Sequence, residues 1–113
     1  MQARSVFSMS LGGGYSASIN SAVASAVSRG IPVIVAAGNN NANAASISPA
    51  SEPSAITVGA IDSNDYRAYF SNYGAGLDVF APGVHILSSW RNCNNCYEYL
   101  DGTSMGEFKF FLE

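Results

Sequence analysis

Ser104 stands in the segment Asp101-Gly102-Thr103-Ser104-Met105. A serine just after Gly-Thr suits a tight turn that opens a helix. In that position its hydroxyl is exposed, and first-turn N–H groups without intrahelical partners can stabilise a nearby anion. A nucleophile beside anion donors is half of what acyl transfer needs. Taken alone, the serine reads first as a helix cap. Two other segments bear on the choice: Ser8-Met9-Ser10-Leu11-Gly12-Gly13-Gly14 and Val35-Ala36-Ala37-Gly38-Asn39-Asn40. A glycine run removes side chains and lets an extended peptide approach the backbone as an added strand. It also serves as a plain strand-to-helix turn. The run lacks both the Gly-x-Gly-x-x-Gly spacing and the Lys-Ser/Thr of phosphate loops, which argues against nucleotide binding.

A serine hydrolase needs in addition a base and a group to orient it. The only histidine, His85, lies in the strand-like run Val84-His85-Ile86-Leu87 and reads as a partly exposed strand residue rather than a base. Cys93 and Cys96 form a Cys-x-x-Cys in an Asn-rich stretch. Two unpaired loop thiols are the leading reading and a local disulfide the second. Metal or redox roles come last, because neither two more ligands nor a thioredoxin-like helix start is in view.

The elements that would position these groups follow from periodicity. Residues 5–10 read as a short buried strand, broken by the glycines. Ser16 is a fair N-cap, and Ile19, Ala22, Val23, Ala26 and Val27 form one apolar stripe on a helix over residues 17–29. Gly30 is placed to end it. Residues 31–37 are a continuous apolar run, as in a strand covered on both faces. Strand, helix, strand in this order implies a parallel crossover. Residues 39–53 form a long polar loop, and loops of that length are commonly functional. Residues 56–61, 77–80 and 84–89 read as strands, 69–74 as a turn and 91–99 as loop. The fold class is therefore α/β, a parallel sheet with flanking helices.

Length and composition narrow the function. The 113 residues make at most one domain. The net charge of −3, with five scattered basic residues, offers no basic patch, so nucleic acid is not an expected partner. The longest apolar run is too short to span a bilayer, so no membrane partner is expected either.

In order and spacing, the three segments resemble the C-terminal part of the subtilisin-like serine proteases, the proteinase K branch in particular. The resemblance runs from about Val6 to Met105. It implies a partial subtilisin-like fold, incomplete at both ends, with residues 1–105 as the peptidase part and 106–113 as a tail that departs from the family. It implies catalytic roles for Ser104 as nucleophile and Asn39 as oxyanion donor, although Asn40 and Asn41 are chemically equal and only the motif selects Asn39. It assigns substrate binding to Ser10, Leu11, Gly12, Gly13, Gly14, Ala36, Ala37 and Gly38, a pocket of uncharged walls suited to apolar or aromatic side chains. The chemistry requires no cofactor. Asp78, with the carbonyls of Pro53 and Ala55, matches a structural calcium site, and the alternative for Asp78 is a strand-end aspartate bonding nearby amides.

The family's Asp and His precede the serine and would lie upstream of Met1. The implied function is a fragment of a serine endopeptidase, acting on protein or peptide through an acyl-enzyme on Ser104. The parent would be a secreted monomer whose signal peptide lies outside this sequence. The alternative is an inactive truncated product, pseudoenzyme or interaction module lacking the Asp and His. The tail Gly106-Glu107-Phe108-Lys109-Phe110-Phe111-Leu112-Glu113 replaces the family's long small-residue helix. Residues 108–112 are expected to make one helical turn and not to replace a buried central helix. A translated intron or frameshift would produce such a tail, and a genuine divergent end is the alternative.

Overall fold

Alternation along one four-residue strand explains how the chain builds two helix-on-sheet layers. The computed structural model describes residues 5–112. Residues 1–4, where the expected peptidase part begins, and Glu113, where the expected tail ends, lie outside the described residues. β1 (Phe7–Met9) leads to the short β2 (Gly13–Gly14), and α1 (Ala17–Ser28) returns the chain to β3 (Val33–Ala36). β4 (Ile47–Ser48) and β5 (Ile56–Ile61) follow, then β6 (Val79–Pro82), β7 (Ile86–Ser89), β8 (Tyr97–Leu100) and α2 (Thr103–Leu112).

β1, β3, β5 and β6 form a parallel sheet in the order β1-β3-β5-β6. β2 pairs with β4, and β7 with β8, both antiparallel. Successive strand side chains face opposite sides. Val33 and Val35 accordingly meet Val23, Ala26 and Val27 of α1 together with Ala55. Ile34 turns to the other side, where Val58 and Ala81 join it under Phe110 and Phe111 of α2. The sheet thus has a helix on each face, the α/β arrangement expected.

α1 forms as its sequence dictates. The Ser16 side chain accepts a hydrogen bond from the Ile19 N–H, and Gly30 follows the C-cap at φ +84°. Other expectations change. Residues 5–10 supply a strand, but Val6 and Phe7 are exposed, because β1 lies at the sheet edge with β3 on one side only. The loop over residues 39–53 contains a 3-10 turn (Ala44–Ser46) and β4, whose pairing with β2 no local periodicity announces. Residues 97–100, read as the end of a loop, are a strand, because β7 offers an antiparallel partner in register from Ile86↔Leu100 to Ser89↔Tyr97. Cys93 and Cys96 close a disulfide across the tip of this hairpin, in place of two free thiols, since the turn brings their Cα atoms to 5.3 Å. Residues 106–112 are also more than one loose turn. α2 runs unbroken from Thr103 to Leu112 and buries Gly106 and Glu107 against the sheet.

Candidate active site

The site is assembled where β3 ends. Ala37 continues the strand ladder, its N–H donating to the Val58 carbonyl at 2.9 Å. Gly38 then turns the chain at φ +98°, and a Cβ there would sit 2.5 Å from the Asn72 Nδ2. Glycine is required on both counts. Asn72 itself is fully buried. Its Nδ2 donates to the Ala37 carbonyl at 2.8 Å, and its Oδ1 accepts from the N–H groups of Asn40 and Ala42, each at 3.0 Å. One side chain therefore fixes the loop that carries Asn39. In sequence Asn72 is one residue of the turn over 69–74; its partners lie 30 to 35 residues away, and nothing local reveals them.

Asn39 is held from the opposite side. Its Oδ1 accepts from the Thr103 N–H at 2.9 Å and from the Thr103 hydroxyl at 2.8 Å. The same hydroxyl oxygen accepts from the Gly38 N–H at 3.1 Å. A backbone N–H can only donate, so the acceptor end of the Asn39 amide must face Thr103. The donor end, Nδ2, is left free at the pocket wall. Thr103 is 1% exposed, so its two donors rely on Asn39 for their acceptor.

Ser104 follows at the second position of α2, half-buried, where a backbone N–H has no intrahelical partner. Its hydroxyl donates to the Ser10 carbonyl at 3.3 Å. The Ser10 hydroxyl in turn lies 3.1 Å from the Ser104 carbonyl. These contacts join α2 to the segment leading out of β1.

Between these parts lies a cavity of about 390 Å³, lined by Ser10, Leu11, Gly12, Gly13, Gly14, Ala36, Gly38, Asn39, Asn40, Ile47, Thr103 and Ser104. No lining residue carries a charge. A Cβ on Gly13 or Gly14 would meet nothing within 4 Å, so the fold leaves open space over that backbone. Ala37 is the exception among the residues expected here. It is wholly buried, its side of the strand facing the interior. Asn40, Ile47 and Thr103 complete the wall. Ile47 arrives only through the pairing of Gly14 with it, and so escaped the sequence.

His85 is in neither this wall nor a strand. It precedes β7 at φ +57°, its N–H donates to Asp101 Oδ1 at 2.6 Å, and its ring stacks on Tyr99 at 4.0 Å. Asp78 Oδ2 accepts from the Thr57 N–H at 2.7 Å, the bond expected of a strand-end aspartate. Its oxygens and the carbonyls of Pro53 and Ala55 are hard donors beside neighbouring strands β5 and β6. They suit calcium in kind, but no three acidic, His or Cys side chains cluster among the described residues. A cation there would rest on one carboxylate, carbonyls and water.

The family model described as the Subtilase family matches residues 1–106. Subtilisin-like protease 2 of Pseudogymnoascus destructans is 59% identical over 102 residues, covering 90% of this chain and 26% of that protein. Proteinase R of Parengyodontium album is 57% identical over 100 residues, covering 88% of this chain and 25% of its own length. A cold-adapted subtilisin-like serine proteinase of known crystal structure superposes with TM-score 0.88 at 46% identity, covering 94% of this chain and 38% of the other. The chain thus spans about a quarter of the curated relatives it matches.

Proposed function

Since the chain belongs to the subtilase family, we propose that it supplies the nucleophile half of a serine endopeptidase site. The observation that carries this reading is the Asn39–Thr103 junction. It turns a neutral amide donor toward the pocket beside Ser104. In the proposed reaction the Ser104 Oγ attacks the scissile carbonyl carbon. The C–O bond forms as the hydroxyl proton passes to a base. The Asn39 Nδ2 and the Ser104 N–H receive the developing oxyanion. Collapse breaks the C–N bond, the base returns the proton to the leaving amine, and water then hydrolyses the acyl-enzyme.

The base and its orienting acid come from the part of the parent outside this sequence. His85, the only histidine here, is engaged at the hairpin. The uncharged Gly/Ala wall supports apolar or aromatic side chains at the residue preceding the scissile bond (P1). The disulfide supports a parent that works outside the cell. A structural cation at Asp78, Pro53 and Ala55 belongs to the same reading, as does a monomeric parent.

The test is an in-frame fusion of this chain to the upstream region of a close relative, assayed with chromogenic peptides. We expect apolar-P1 hydrolysis that Ser104→Ala abolishes. The unfused chain should lack a base and show at most about 10³–10⁴-fold acceleration over water. Protease-like turnover by the unfused chain, or a fusion preferring Lys or Arg at P1, refutes the reading. The second reading, an inactive product, is favoured by the exposed Phe7, Leu11, Phe108 and Leu112. A folded fusion without turnover would establish it.

A further inference from the structure

Glu107 is the largest fully buried side chain among the described residues, and the proposed reaction does not use it. It lies one helical turn after Ser104, on the face of α2 turned to the sheet. Both of its oxygens are occupied by β1 and the residue that follows it. The Ser8 hydroxyl donates to Oε1 at 2.7 Å and the Ser10 hydroxyl to Oε2 at 2.5 Å. Ser8 and Ser10 are two positions apart, so they project to the same side of the chain. Ser10 also faces the Ser104 carbonyl, accepts the Ser104 hydroxyl through its own carbonyl, and begins the pocket wall.

We propose that Glu107 is a positioning residue that sets the register between the nucleophile's helical turn and the substrate-binding segment starting at Ser10. This inference rests on the proposed peptidase role. Its physical basis is independent of turnover. Burying a carboxyl group disfavours folding unless partners satisfy it. Here the two hydroxyls are those partners, and both stand on the segment that must be aligned. A sliding of α2 against β1 breaks two bonds at once and strands the carboxyl in the interior. The Ser10–Ser104 contacts, at 3.1 and 3.3 Å, tie the same segment to α2 but leave Ser8 untouched; only Glu107 holds both serines.

Two substitutions separate positioning from mere filling of space. Glu107→Leu keeps the volume and removes both bonds. Glu107→Gln keeps them, because its oxygen can accept from one serine while its amide donates to the other, and a hydroxyl serves either way. Amide hydrogen exchange on the full 113-residue chain reads the result. The probes are the Met105 and Gly106 amides, bonded to the Gly102 carbonyl at 3.1 and 3.4 Å. The control is the Ala37 amide in the sheet.

Glu107→Leu should raise exchange of the probes about fivefold relative to the control, as expected when the loss of two hydrogen bonds is partly offset by removing a buried carboxyl group, while Glu107→Gln stays within about twofold of the parent. Ser8→Ala combined with Ser10→Ala should raise it further, because the carboxyl is then left buried without partners. This pair also serves if the Leu variant does not fold. An unchanged ratio in Glu107→Leu, equal effects of Leu and Gln, or an unchanged ratio in the double serine variant overturns the proposal. Exchange needs no catalysis. A fusion that fails to hydrolyse peptides therefore sinks the functional reading alone, and an unmoved exchange ratio sinks this one alone.

Discussion

Substituting Asn39 in two ways should separate its structural duty from its chemical one. Thr103 directs two donors, N–H and hydroxyl, at a single acceptor, the Asn39 Oδ1, and is 1% exposed. Asn39→Ala orphans both donors. At about 1–3 kcal/mol for each buried unsatisfied group, and with the hydroxyl free to turn, the loss should total roughly 2–4 kcal/mol. For a chain of this size each kcal/mol moves the melting midpoint by about 3–5 °C, so the variant should melt about 10 °C lower. Asn39→Asp retains the acceptor and loses only the Nδ2 donor. Its charge lies at the N-terminus of α2, where the helix dipole favours an anion. It should melt at or slightly above the parent. In the fused enzyme the same Asp variant should lose about 10²–10³ in kcat, a figure that comes from a subtilisin itself. Calorimetry on the chain and steady-state kinetics on the fusion give the two readouts. A melting point for Asn39→Ala within about 2 °C of the parent would refute the junction's role. So would Asn39→Asp falling as far as Asn39→Ala. A fused Asp variant with unchanged kcat would refute the donor assignment.

Other outcomes can be checked on the chain alone. Alkylation without reductant should leave Cys93 and Cys96 unmodified, and a Cys93→Ser/Cys96→Ser variant should stay folded with a loss of no more than about 2 kcal/mol, since so short a loop removes little unfolded-state entropy; unfolding of that variant would contradict this. Calcium should raise the melting point of the parent and not of Asp78→Asn; equal shifts in both would place the ion elsewhere. The exposed Phe7, Leu11, Phe108 and Leu112 should make the chain associate and bind a hydrophobic dye, and a monodisperse solution at high concentration would count against it.

The parts of the fold that were legible in the sequence are those whose cause is local. The stripe from Ile19 to Val27 with Ser16 and Gly30 at its ends specified α1 almost to the residue. The apolar runs gave β3 and β5. What stayed hidden depends on partners far along the chain. β8 needed β7 to exist, β4 needed two glycines, and Asn72 needed carbonyls and amides 30 to 35 residues away. The candidate site shows the same division. Ser104 and Asn39 were named from motifs, while the bonds that orient them run over separations of 64 and 94 residues. Glu107 gave no signal at all, because an acidic residue in a Phe-rich stretch looks like a solvated one.

The Asn39–Thr103 junction has a consequence for how the parent must be put together. On the proposed reading, nucleophile and anion donor are fastened to each other through adjacent residues, Thr103 and Ser104, so their spacing is settled within this chain. A base-bearing segment docking onto this chain inherits a finished pair. Errors of assembly then cannot spread among three distances; they collect in one, the gap between the arriving base and the Ser104 hydroxyl. In the proposed parent, that gap is therefore the distance most exposed to a misplaced docking segment.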